Sequence, residues 1–203
     1  DAALKKYLSS GETSPDKAQT ARSIVAVIAA KQRRLDDATA VVAEYVKNTP
    51  IRLADRARME IELAKALHRE KKFPEAADHA AEAYRAAKAV LMESGPSQRG
   101  LDETLDAAMQ LFESRRAAGN EKEADAALTD LRNTGASIGS ASMYAYAVDK
   151  LIVHLIETGR KPLAMETYRS ALLAAAKDLP AKQSQDLAIR QLKSRELQFK
   201  LLG

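Results

Sequence analysis

The tract HREKKFPEAADHAAEAYRAAK, residues 68–88, reads as a polar helix end, a tight corner and the alanine-rich start of a second helix. The same corner recurs along the chain. RRLDDATAVVAEYV begins at Arg33, KKFPEAADHAAEAY at Lys71, GNEKEADAALTDLR at Gly119 and GRKPLAMETYRSAL at Gly159. Polar residues or glycine close one helix in each copy. Asp36, Pro74 and Pro162 then suit the first turn of the next, where proline fits because no amide donor is needed. An alanine follows at a nearly constant offset: Ala38, Ala76, Ala124 and Ala164, spaced by 38, 48 and 40 residues. Some thirteen residues before each stands a large apolar residue, Val25, Leu63, Leu111 or Leu151. A chain built this way is an array of helix pairs, and one pair alone cannot bury both of its apolar faces.

The composition favours helix almost everywhere. Alanine, leucine, glutamate, lysine and arginine dominate, against 8 Gly, 6 Pro, 3 Phe and no Trp, and these residues lose little rotamer freedom in a helix. SIVAVIAA at 23–30 is the one apolar run that could be a strand, but its polar flanks favour a buried helix segment. The fold class is therefore all-α, in one domain spanning 1–203. Breakers place the pairs at 16–33 with 36–48, 51–71 with 74–93, 101–118 with 121–133, and 140–158 with 162–178. A capping helix is expected over 181–200, a short helix over 2–9, and a plain loop at NTGASIGS, 133–140. Each helix carries an apolar stripe, such as Met59, Leu63, Ala66 and Leu67.

The alternation resembles tetratricopeptide (TPR) repeats, whose second helix carries a small alanine near its start and a large residue four positions on. Phe73, Glu75, Ala76 and Ala83 carry the match in the second unit, and Ala164, Tyr168 and Ala171 in the fourth. The units exceed the usual 34-residue period, the first-helix Trp is absent, and Gly marks only two of the four corners. The resemblance implies a right-handed α-solenoid of antiparallel helix pairs over about 16–178. It further implies that the first helix of each pair lines a concave, partner-binding face. Aligned on the corner alanines, that groove comprises Arg58, Lys65, His68 and Arg69, then Asp106, Met109, Glu113 and Arg116, then Tyr146, Asp149 and Val153. Arg and Tyr are common binding hot spots. The first unit offers Ser23 and Val27 where a carboxylate clamp would stand, which disfavours partners held by a C-terminal carboxylate.

Candidates for chemistry are few. The absence of Cys removes disulfides, thiolate metal sites and cysteine nucleophiles from these 203 residues. His68 and His79 flank one corner, which could bring them together, but no metal-ligand spacing accompanies them. His154 sits beside an apolar stripe, where a half-buried, hydrogen-bonded histidine is expected. The acids Asp36, Asp37, Glu121 and Glu123 fall in first turns and suit the helix dipole. GASIGS lacks the strand and lysine of a phosphate loop. The formal charge is +4, with residues 101–150 carrying five Lys/Arg against nine Asp/Glu and residues 151–203 nine against five. Lys182, Arg190, Lys193, Arg195 and Lys200 cluster on the last helix, but aromatics are 4% of the chain, too few for base stacking. No apolar run approaches the roughly 18–20 residues of a membrane span. Neither a cofactor, a metal nor nucleic acid is expected.

The ends, DAALKKYL and FKLLG, read as cut from a longer chain. SRELQFKLLG, through Leu201, Leu202 and Gly203, resembles the junction into bacterial thioredoxin-like domains of the TlpA or peroxiredoxin-related type. That resemblance implies an exported, periplasmic accessory domain that positions, dimerises or recruits a client for a redox module, with a cytoplasmic location as the alternative. The two function classes are thus a non-catalytic scaffold for a protein or peptide, alone or fused, and a helical enzyme around His68 or His154.

Overall fold

The structure, a computed structural model, describes residues 14–47, 51–196 and Phe199. Among them are nine helices and no strand. These are α1 Pro15–Lys31, α2 Leu35–Lys47, α3 Leu53–Arg69, α4 Phe73–Ser94, α5 Gln98–Ala117, α6 Glu121–Ser137, α7 Ala141–Glu157, α8 Lys161–Asp178 and α9 Lys182–Ser194. SIVAVIAA is helical, within α1. The short helix expected over 2–9 lies outside the described residues. Helices α1 to α8 pack each on its successor, α2 on α3 included; α1 also lies on α3, and α9 covers both α7 and α8. Substantial contacts join only helices one or two places apart in the chain.

The four corner alanines explain how the helices approach. Ala38, Ala76 and Ala124 have no exposed surface and Ala164 has 1%. Four residues on, Val42, Ala80, Leu128 and Tyr168 are buried with them. Small residues at these crossings let the helix axes come close, within the roughly 8–10 Å usual for packed helices. The buried apolar residues form two main clusters. One gathers Tyr45, Met59 and Leu63 with Ala26, Ala29 and Ala30 of α1; the other runs from α3 to Phe199 through Leu111, Leu131, Tyr144 and Ile152. Helices α3 and α4 contribute to both.

Each corner is one physical motif. At the α1–α2 corner the Arg34 N–H donates to Ala29 O and the Arg33 N–H to Ala30 O. The same pair of bonds runs from Lys72 and Lys71, from Asn120 and Gly119, from Ser140 and Gly139, and from Arg160 and Gly159 to the carbonyls five and three residues earlier. This is the Schellman ending, which satisfies two orphan carbonyls and needs a left-handed residue in the middle. The residue after it already accepts the first amide of the next helix, so one three-residue corner both stops and starts a helix. Three corners meet the left-handed requirement with glycine, at φ +79° for Gly119, +71° for Gly139 and +76° for Gly159. The other two hold Arg33 at φ 59° and Lys71 at φ 60°, at a steric cost of about 1 kcal/mol each. Arg33→Gly and Lys71→Gly are therefore expected to raise stability by about 0.5–1 kcal/mol apiece, read as a higher urea midpoint at unchanged slope. The exposed Arg33–Glu70 pair, at 3.2 Å, subtracts little.

The structure differs from the sequence expectation at NTGASIGS. Helix α6 continues through Asn133, Gly135 and Ser137, and a fifth Schellman corner at Gly139 turns directly into α7. Breaker composition pointed to a loop, but Gly135 serves packing. A Cβ there would stand 2.7 Å from the Tyr144 backbone nitrogen and 3.1 Å from its Cα. Helix α5 also starts earlier than expected, because the Ser97 hydroxyl caps it by accepting from Gly100 N at 3.1 Å.

Tyr144 ties the close crossing together. Its hydroxyl donates to Ala171 O in α8 at 2.9 Å and its residue is 1% exposed. Burial holds its phenol above the usual 10, at about 12. The neutral form is thus favoured in the folded state. Its contribution is complete below pH 10 and fades as pH rises through 12, by at most roughly 3 kcal/mol. Alkaline unfolding should steepen between pH 10 and 12, and Tyr144→Phe should flatten that limb.

Candidate functional site

The eleven residues of the expected groove lie on α3, α5 and α7. Arg58, Arg69, Glu113, Arg116, Asp106 and Tyr146 are exposed, whereas Lys65, His68, Met109, Asp149 and Val153 are half-buried. Met109 and Val153 pack against the larger core cluster, so they serve the core as well as the surface. Side chains bridge successive first helices. Lys31 of α1 faces Glu62 of α3 at 4.0 Å, and Lys65 of α3 donates to Asp106 of α5 at 2.6 Å. Arg116 of α5 meets Glu157 of α7 at 3.4 Å, and Asp149 of α7 meets Arg195, just past α9, at 3.5 Å. An ion-pair ladder therefore runs along this set of helices.

Two clefts open on it. The first, of about 160 Å³, lies between α3 and α5 on a floor of Ala57, Ile61, Ala87 and Ala107, with Arg58, Glu62, Glu103 and Asp106 around it. The second, of about 260 Å³, lies between α7 and the end of α9, where Tyr146 and Asp149 face Gln191 and Arg195. Tyr146 is 38% exposed, with Lys150 Nζ 5.5 Å from its ring centroid. The structure thus places Arg58 with Asp106, and Tyr146 with Asp149. Such clefts offer apolar contact, charge of both signs and an aromatic rim, the ingredients of protein recognition.

The histidines separate. His68 Nδ1 faces the Ser114 hydroxyl at 3.0 Å, which also accepts from Gln110 Nε2 at 3.0 Å. His79 Nδ1 donates to Glu60 Oε2 at 2.6 Å. The corner leaves these two rings on different partners, because the first ends α3 against α5 while the second lies inside α4 against α3. His154 is 1% exposed, more deeply buried than expected. Its ring stands edge-on to Phe112 with centroids 5.0 Å apart, and Nε2 is 2.8 Å from Glu121 Oε2 and 3.5 Å from Asp125 Oδ1. The Glu121 contact is close but out of line for a hydrogen bond, and Nδ1 has no partner among the described residues. Arg160 binds both carboxyl oxygens of Asp125 and reaches Glu121 at 3.7 Å. Glu121 therefore does more than favour the dipole of α6: with Asp125 it anchors α7 and the α7–α8 corner. Among the described residues no group of His, Asp or Glu is arranged to hold a metal ion, and no helix is long and apolar enough to cross a membrane.

Sequence reasoning missed the walls Ile61, Glu62 and Glu103, and the facing of Tyr146 and Asp149 by Gln191 of α9 and Arg195 just past it. No family model, curated protein or solved structure matches the chain.

Proposed function

We propose that the nine helices form a TPR-like, right-handed solenoid that acts as a non-catalytic scaffold, binding a protein or peptide along α3, α5 and α7. The observation that carries this reading is the pair of clefts holding Arg58 with Asp106 and Tyr146 with Asp149. The stacked arrangement is supported by packing confined to near neighbours in the chain and by one corner motif used five times. Arg58 has no ion-pair partner among the described residues and is exposed, so its guanidinium remains available to a carboxylate. The narrower reading, an accessory domain of an exported thioredoxin-like protein, rests on Leu201, Leu202 and Gly203, which lie outside the described residues.

Photo-crosslinking residues installed at 58 and 146 test the face directly. Both positions should trap one and the same protein, while a crosslinker at the exposed Leu173 of α8 should not. Equal trapping from all three positions would count against the groove.

A further inference from the structure

A third cleft lies between α4 and α6, with α5 forming part of its wall. About 360 Å³ in volume, it is lined by Ala81, Tyr84, Arg85 and Lys88 of α4, Leu111 and Arg115 of α5, and Ala126, Ala127 and Asp130 of α6. Its floor is apolar: Tyr84, Leu111 and Ala127 are buried and belong to the main core cluster. Tyr84 is fixed from below. The Thr134 hydroxyl gives its one hydrogen to Asp130 O at 2.9 Å, so across the 3.1 Å contact Tyr84 is the donor.

The rim is cationic. Arg85, Lys88 and Arg115 line the cleft against a single lining acid, Asp130. Each cation has an intramolecular partner: Arg85 binds Glu82, Lys88 binds both Asp130 oxygens at 2.8 and 3.0 Å, and Arg115 meets Glu123 at 3.4 Å. Glu82 and Glu123 are not part of the lining, which holds three cations and one acid. Lys88 Nζ also stands 5.8 Å from the Tyr84 ring centroid. An apolar floor beneath three cations suits a guest that is apolar at its tip and anionic at its flanks. The α3–α5 cleft has the opposite bias, with three acids to one Arg, and would repel such a guest.

We infer that the α4–α6 cleft docks an acidic, apolar segment of a partner protein: a leucine- or phenylalanine-like side chain on the floor, with flanking carboxylates on Arg85, Lys88 and Arg115. This inference is independent of the groove on α3, α5 and α7, and the variants below keep the two apart.

The probe is a fluorescein-labelled peptide, acetyl-Glu-Glu-Leu-Phe-Glu-Glu-amide, titrated by fluorescence anisotropy against the whole chain, with its lysine-for-glutamate counterpart as control. The acidic peptide should bind at least tenfold more tightly than the basic one, and the difference should shrink as salt rises. Ala126 is exposed, so Ala126→Trp fills the cleft without touching the core and should weaken binding tenfold or more. Arg85→Glu, at another exposed position, should weaken it several-fold. Arg58→Glu should leave it unchanged. Equal binding of the two peptides, or full binding by Ala126→Trp with an unaltered circular dichroism spectrum, would overturn the inference. Loss of binding through Arg58→Glu alone would assign the peptide to the other groove and overturn it equally.

Discussion

Gly135→Ala is expected to destabilise the chain by about 2 kcal/mol, although alanine is the better helix former. In an open helix the exchange would gain about 1 kcal/mol. Here the added Cβ would stand 2.7 Å from Tyr144 N and 3.1 Å from Tyr144 Cα. Those are backbone atoms of α7, which cannot turn aside as a side chain would. Helices α6 and α7 must separate, loosening the buried Tyr144–Ala171 bond and the layer holding Leu131 and Met143, with an overpacking cost of roughly 1–3 kcal/mol or more. Urea unfolding of the variant provides the measurement. A midpoint equal to or above wild type would mean that α6 and α7 do not cross as closely as the structure has them.

The second large effect concerns Glu60, a carboxylate on α3 whose side chain is 3% exposed. Its oxygens are engaged by His79 Nδ1 at 2.6 Å and by Arg56 Nε at 3.6 Å, and Arg56 continues to Glu82 and so to Arg85. Breaking a buried ion pair by removing one member costs about 3–5 kcal/mol, since the partners lose their counter-charge where water cannot fully replace it. Glu60→Ala should lie near the lower end, about 3 kcal/mol, because His79 and Arg56 are each about one-quarter exposed. Glu60→Gln retains an acceptor for His79 and should cost less. Glu103→Ala, which removes the exposed Arg99–Glu103 pair at 2.8 Å, should leave the urea midpoint essentially unchanged. Similar losses for Glu60→Ala and Glu103→Ala would contradict the buried network.

The helices and their alanine crossings were legible in the sequence because they rest on local rules: propensity, apolar spacing, and the stop signals at each corner. Ala38, Ala76, Ala124 and Ala164 could be picked out by offset alone. Gly135 was misread because its composition is that of a loop, whereas its reason is a contact with Tyr144 nine residues on, which no local rule encodes. The corners at Arg33 and Lys71 were legible from the residues that follow them, but their left-handed geometry was not, since side chains of that kind rarely adopt positive φ. Glu60 belongs to no motif, and Glu121 read only as a first-turn acid. Only packing revealed that Glu60 is buried against His79 and that Glu121 stands beside the buried His154. The cationic cleft on α4 to α6 was invisible for a related reason: Lys88 and Asp130 belong to different repeats, and neither belongs to a motif on its own.

The most direct test of the scaffold reading is calorimetric titration of the protein trapped from positions 58 and 146 against wild type, Arg58→Glu and Tyr146→Ala. The account predicts at least a tenfold loss of affinity for each variant, with helix content and unfolding midpoint unchanged. Wild-type affinity in both variants would contradict it, and would move the binding face away from α3, α5 and α7.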